Sequence, residues 1–138
     1  MVVGYRTEKL EASLARLCGQ LDSVRGAVIV SIEGFVVAAF EPMTGAASRN
    51  EESSAASPQV AAMAATLIAL GERTLARLAQ GNLTRLLIEG STGAMLVVPA
   101  SNRAAVALMV NNDAKMGLSL YALRRAAVEI SVMLEGED

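Results

Sequence analysis

The chain contains no histidine and no tryptophan, and its two tyrosines and two phenylalanines make up only 3% of 138 positions. Without imidazole, the commonest general base and metal ligand is missing, together with every serine or cysteine triad built on it. Most hydrolase and zinc-enzyme chemistries are thereby excluded. One cysteine, Cys18, can neither close an internal disulfide nor supply a thiolate cluster for zinc or iron–sulfur, which suits a reducing compartment. Basic residues number 12 against 14 acidic ones. That balance lacks the cationic excess that phosphate backbones demand, and the scarce aromatics offer no platform for stacked bases, so nucleic acid is not an expected partner. Long apolar runs are also missing. Residues Met1 to Glu8 meet charge before a signal-peptide core could form, and no stretch reaches the roughly 20 apolar residues of a spanning helix. The expectation is a cytoplasmic protein without membrane insertion.

What is present is an ordinary globular composition, 53% hydrophobic and 19% charged, at a length that fits one domain over 1–138 with its core at about 8–134. Arginines far outnumber lysines and alanine is abundant, as in a GC-rich, bacterial genome. Leu10, Leu14, Leu17 and Leu21 recur at helical spacing, with Glu8, Lys9, Glu11 and Arg16 between them, which predicts an amphipathic helix over 7–21. Cys18 lies beside that stripe and reads as a small buried hydrophobe. The runs Ala27–Ile32 and Phe35–Phe40 are rich in β-branched and aromatic residues and are separated only by Glu33-Gly34, which predicts a hairpin. Residues 42–57 are small and polar without periodicity, a connection long enough to be expected mobile.

Ser57 and Pro58 then supply an N-cap and a proline at the first helical position, opening a helix that should run to about Gln80. From Val60 to Leu70 its only polar side chain is Thr66, so it is apolar around its whole circumference and should be buried on all sides. A sheet can cover one side, but this short chain has no obvious cover for the other. A second subunit or a partner is the simplest answer, and alanines 61, 62, 64, 65 and 69 would let another helix approach closely. Three further strand signals, 83–89, 94–99 and 104–110, are joined by hairpin-length turns and predict a meander. Asp113 can cap a last helix whose apolar stripe runs from Met116 to Leu134, followed by an acidic tail over 135–138. The order α-β-β-α-β-β-β-α, with only hairpins between strands, predicts an α/β (α+β) fold around a single five-stranded antiparallel sheet with helices on both faces.

No constellation in the sequence assembles a catalytic site. Gly90-Ser91-Thr92-Gly93 is followed by a strand rather than the helix N-terminus a phosphate cradle needs. Asn111-Asn112-Asp113 lacks further carboxylates at calcium-loop spacing, and Lys9 and Lys115, the possible bases of a serine–lysine dyad, open surface helices. Asn82-Leu83-Thr84 matches a glycosylation pattern without a secretory signal. Arg73 and Arg77, one turn apart with Glu72 beside them, form either a solvated helix face or a surface for an acidic partner. No catalytic residue, metal ligand or cofactor is assigned, and the chain is read as a binding protein rather than an enzyme.

Val24-Arg25-Gly26-Ala27-Val28-Ile29-Val30 leading to Glu33-Gly34, the alanine-rich second helix and the segment from Met116 to Ala126 together resemble the roadblock/LC7 family, in particular bacterial members that partner small Ras-like GTPases. The resemblance spans about 8–134. Glu33 stands where the family often has Asp, and the 42–57 connection is longer than usual. The resemblance implies a profilin-like fold and a homodimer in which second helices pack antiparallel and the two sheets join. It also implies a non-enzymatic regulator of a small Ras-like GTPase, with a structural adaptor or scaffold that senses no nucleotide as the alternative. The dimer seam and adjoining platform are then expected at Val60, Ala61, Ala64, Ala65, Ile68 and Glu72, with Arg73 and Arg77 at a polar rim. Arg49, in the long connection, is a candidate arginine finger, although the resemblance favours a regulator that repositions the GTPase's own residues. A small-ligand sensor is a third reading, disfavoured by the few polar groups in the expected core.

Overall fold

A computed structural model describes residues 3–42 and 54–136 of the chain. The elements are α1 (Val3–Gly19), β1 (Val24–Ser31), β2 (Val36–Phe40), α2 (Pro58–Arg77), β3 (Leu86–Glu89), β4 (Gly93–Ser101), β5 (Ala104–Asn111) and α3 (Met116–Glu135). The strands form one sheet in the order β2-β1-β5-β4-β3, with every neighbouring pair antiparallel. This is the expected order of elements. β1 and β5 lie side by side at the centre, covered on both faces, which is why their sequences read as nearly unbroken apolar runs.

Helices α1 and α3 share one face of the sheet. Leu10, Leu14 and Leu17 are buried there with Leu123 and Ile130 of α3 and with Ile29, Leu96, Val106 and Leu108 of the sheet, and Cys18 packs among them. Across the outer edge of this layer, Arg16 meets Glu129 at 2.8 Å and the Ser13 hydroxyl donates to the same carboxylate at 2.9 Å. Both charges of the pair are half-exposed, so the bridge adds little to stability. Helix α2 crosses the opposite face, over Val28, Val30, Val97, Ala105 and Ala107.

Several element ends differ from those read in the sequence, each for a local reason. The hairpin loop is Ile32–Phe35 rather than two residues, because the Ile32 amide donates to the Arg103 carbonyl of the neighbouring hairpin, and only Gly34 takes a positive φ, +97°. A side chain at Gly34 would also press on α2, since its Cβ would lie 3.3 Å from the Ala62 Cα. Helix α2 stops at Arg77. There Ala79, with φ +56°, occupies the left-handed position of a Schellman turn, in which Gln80 N donates to Leu75 O and Ala79 N to Ala76 O. Strand β3 begins only at Leu86, because Leu83 is held against α2: its amide donates to Glu72 at 3.3 Å and its side chain packs at Gly71. Asp113 is not the cap of α3. Lys115 holds that position without a side-chain hydrogen bond, while the Ser119 hydroxyl donates back to the Lys115 carbonyl at 2.8 Å. Of the 42–57 connection, residues 43–53, including Arg49, lie outside the described residues. Its far end is anchored, with Ala55 buried and its amide bonded to Glu41.

Candidate partner interface

Helix α2 owes its start to Ser57, whose side chain accepts from the Val60 amide at 3.3 Å, and to Pro58, which has no N–H to leave unpaired in the first turn. Its buried residues are alanines alone: Ala61, Ala64 and Ala65. Facing Val28, Val30, Val97, Ala105 and Ala107, they let the helix backbone settle close to the sheet, and no fully buried residue in this layer is larger than valine. Of the large side chains of α2, Ile68 packs half-buried beside the alanines, while others point elsewhere. Met63, Leu70 and Leu78 are each more than half exposed, and Val60 and Leu67 are half-buried. The spacing of Val60, Met63, Leu67 and Leu70 by three and four residues makes them one stripe along the helix. Gly71 follows that stripe and touches Leu83 and Leu86, so the stripe is turned toward the β3 side of the sheet.

On that side the sheet ends in β3, whose outer edge has no neighbouring strand among the described residues. Leu87 and Ile88 are exposed there. Ile88 pairs with Met95 and Leu86 with Val97, which places Leu86 and Ile88 on the α2 face, beside half-buried Met95 and Met109. An apolar helix stripe and a bare, apolar strand edge thus form one continuous border. Edges of this kind are templates for another chain. The polar flank of α2 carries Arg73 and Arg77, exposed, which line a shallow groove with Leu70, Thr74 and Leu78.

The residues expected at a seam are therefore divided by the structure. Ala61 and Ala64 are fully buried against the chain's own sheet, Ala65 nearly so, and Ile68 packs half-buried beside them. None of the three alanines is open to a partner in this fold. Glu72 holds the Leu83 amide, a role within the chain. Val60 borders the exposed stripe, and Arg73 and Arg77 lie on its polar side. Exposed Met63 and Leu70, half-buried Leu67 and the β3 edge were not among the expected residues. A signal for them existed in side-chain size: in a uniformly apolar helix, the stripe of alanines approaches a flat sheet, and the stripe of long side chains is left outside.

Chemical groups elsewhere are few. No group of three or more His, Cys, Asp or Glu residues that could hold a metal occurs among the described residues, and no helix among them is long and apolar enough to cross a membrane. Among the described residues the three buried serines are all engaged: Ser13 with Glu129, Ser57 at its cap and Ser119 with Lys115. Burial pushes the Cys18 thiol up to about 11, which keeps it protonated and unreactive at neutral pH. A cavity of about 690 Å³ opens between α1, the two hairpins and the end of α3. Arg6 at its wall is occupied in closing α3, donating to the Leu134 carbonyl at 2.9 Å.

The Roadblock/LC7 domain family model matches residues 11–110 of the chain. No curated protein matches. Among solved structures, the gliding protein MglB from Thermus thermophilus aligns with a TM-score of 0.83 at 18% identity, over 95% of this chain and 92% of that one. An MglB structure described as having a tetrameric arrangement aligns with a TM-score of 0.81 at 18% identity, over 95% of this chain and 91% of that one. Profilin II from Acanthamoeba castellanii shares the fold more distantly, with a TM-score of 0.57 at 14% identity, over 92% of this chain and 98% of that one.

Proposed function

Because the chain belongs to the Roadblock/LC7 domain family, we propose that it acts in a bacterial cytoplasm as a homodimeric, non-enzymatic regulator of a small Ras-like GTPase. One observation carries the reading: α2 uses its alanines to pack on its own sheet and presents Met63, Leu67 and Leu70 outward beside the bare edge of β3. A second copy related by a two-fold axis would bring the same helix stripe and the same strand edge against their counterparts, as an isologous interface requires. The MglB structure with a tetrameric arrangement supports self-association in a protein of this fold. The seam on this reading is Val60, Met63, Leu67, Leu70 and β3, with Arg73 and Arg77 at its rim.

The GTPase is the partner that the family resemblance implies. Regulation without catalytic residues works by differential binding: a rigid platform that fits one switch conformation shifts the GTPase toward it, whereas equal affinity for both states shifts nothing. The test is binding of the purified protein to a small Ras-like GTPase of the same genome, loaded in parallel with a GTP analogue and with GDP. Preference for one nucleotide state is expected. Equal binding would make the protein an adaptor, and no binding would leave the GTPase assignment without support.

A further inference from the structure

The cavity of about 690 Å³ at the end of the sheet has the volume of a pocket for a small molecule, and neither the α2 seam nor the GTPase reading uses it. Its floor is apolar. Leu10 and Ala104 are buried there, and Val37 and Leu134 pack half-buried against the same core.

One wall holds a donor that the chain does not satisfy. Arg6 gives its Nη2 to the Leu134 carbonyl at 2.9 Å, yet its Nε is buried with no hydrogen-bond partner, the only buried side-chain polar atom among the described residues left so. A buried donor without a partner is costly, and a cationic one calls for an anionic acceptor. Two hydroxyls on the same lining point to the same need. Ser31 Oγ accepts from the Phe35 amide and Ser101 Oγ from the Arg103 amide, both at 3.1 Å, which leaves each hydroxyl proton for a further acceptor. Arg103 is exposed at the rim, and neither arginine is ion-paired among the described residues. Glu33 and Glu135 also line the cavity, both exposed, so its charged side chains are two of each sign. That balance suits a ligand with one negative charge and opposes a phosphate or a nucleotide.

We infer that this cavity binds a small monocarboxylate with an apolar body, the carboxylate answering Arg6 and the two serine hydroxyls and the apolar body lying on the floor of Leu10, Val37, Ala104 and Leu134. Arg103 at the rim favours entry of the anion. Both parts of the ligand are needed: the charge alone leaves the floor wet, and a neutral ligand leaves the guanidinium without its acceptor. The site is separate from the α2 seam, and it does not rest on the reading of the protein as a GTPase regulator.

The test is a titration of the purified chain with 4-methylpentanoate, followed by the backbone amide signals in nuclear magnetic resonance. Saturable shifts are expected at Glu33, Arg103, Ala104 and Glu135. The neutral 4-methylpentanamide, acetate and inorganic phosphate should each bind at least tenfold more weakly, since each lacks the single charge or the apolar body. Leucine separates two sources of this chemistry: tighter binding than the plain acid assigns an amino acid, with its ammonium against Glu33 or Glu135, and weaker binding assigns an acid without an amino group. Arg6→Met should weaken binding at least tenfold. Because Arg6 also holds the end of α3, exposed Arg103→Ala is the second variant, expected to weaken binding several-fold with an unchanged melting temperature. Absence of saturable shifts at millimolar acid, equal binding of the amide or of phosphate, or wild-type affinity in Arg103→Ala and in folded Arg6→Met overturns the inference. All of these readouts come from the chain alone, so they are unaffected by whether it binds a GTPase.

Discussion

The two faces of the sheet are built from different materials. Under α1 and α3 the fully buried side chains include Leu10, Leu14, Leu17, Leu108, Leu123 and Ile130, whereas under α2 none exceeds valine. A leucine-filled layer holds its helices at ordinary packing distance and is complete within one chain. The alanine–valine layer draws α2 down close to the sheet and leaves the longer side chains outward. The first face is closed by leucines; the second leaves Met63 and Leu70 of its helix at the surface. Apolar content alone does not distinguish them, because α2 and α3 are comparably apolar and lie on opposite faces.

That contrast can be broken most severely at Ala64. Ala64→Arg forces a long charged side chain into a contact that is fully buried, through both overpacking and an unpaired charge, and should abolish cooperative folding rather than merely separate subunits. Far-UV circular dichroism with urea titration checks this. On the leucine-closed face, Leu14→Ala should cost about 2–5 kcal/mol of unfolding free energy, since it empties a closed layer of leucines. Met63→Arg separates the faces: the residue is exposed in the single chain, so a folded protein with an unchanged spectrum but monomeric light scattering is expected. An intact dimer of Met63→Arg would place the seam elsewhere.

Two smaller effects sharpen the comparison. Cys18 belongs to the leucine-closed face, and its folded value of about 11 lies above the ordinary thiol value of 9.0, so the folded state holds its proton more tightly than the unfolded state does. The stability this supplies is fully present below pH 9 and is lost as pH rises toward 11. Urea titrations at neutral and at about pH 10 should therefore show wild type losing on the order of 1 kcal/mol more than Cys18→Ala between the two conditions. At the end of α2, Ala79 takes a left-handed conformation with φ +56° that glycine adopts freely. Ala79→Gly should raise the unfolding free energy from urea titration slightly, by less than about 1 kcal/mol, because relief of that strain is partly offset by the greater freedom of an unfolded glycine.

Much of this was legible in the residues themselves. Leucines at 10, 14 and 17 gave one helix and its buried face, the runs around Glu33-Gly34 gave a hairpin, and Ser57-Pro58 gave the start of α2. The errors fall where a distant segment intervenes. Asp113 has the chemistry of a cap, but the helix begins after Lys115. Leu83 looks like strand, yet a hydrogen bond to Glu72 and contact with Gly71 hold it on α2. Of the eight residues expected at a seam, Ala61, Ala64 and Ala65 are buried against the chain's own sheet, because residue type alone does not set the rotation of a helix that is apolar all round.

The order of elements and the hairpins between strands follow from periodicity and turn composition, which are local properties that each segment carries alone; the central position of β1 and β5 came only with the sheet. Which side of α2 and α3 remains open does not follow from them either. In both helices apolar residues occupy the inward and the outward positions, so periodicity offers two answers and only packing selects between them. Close approach to the sheet selected alanine for the inner side of α2, and contact with α1, β4 and β5 selected the inner side of α3. The surfaces left over, Met63 with Leu70 on α2 and Tyr121 with Val128 on α3, exist as surfaces only because tertiary contacts were already satisfied on the other side.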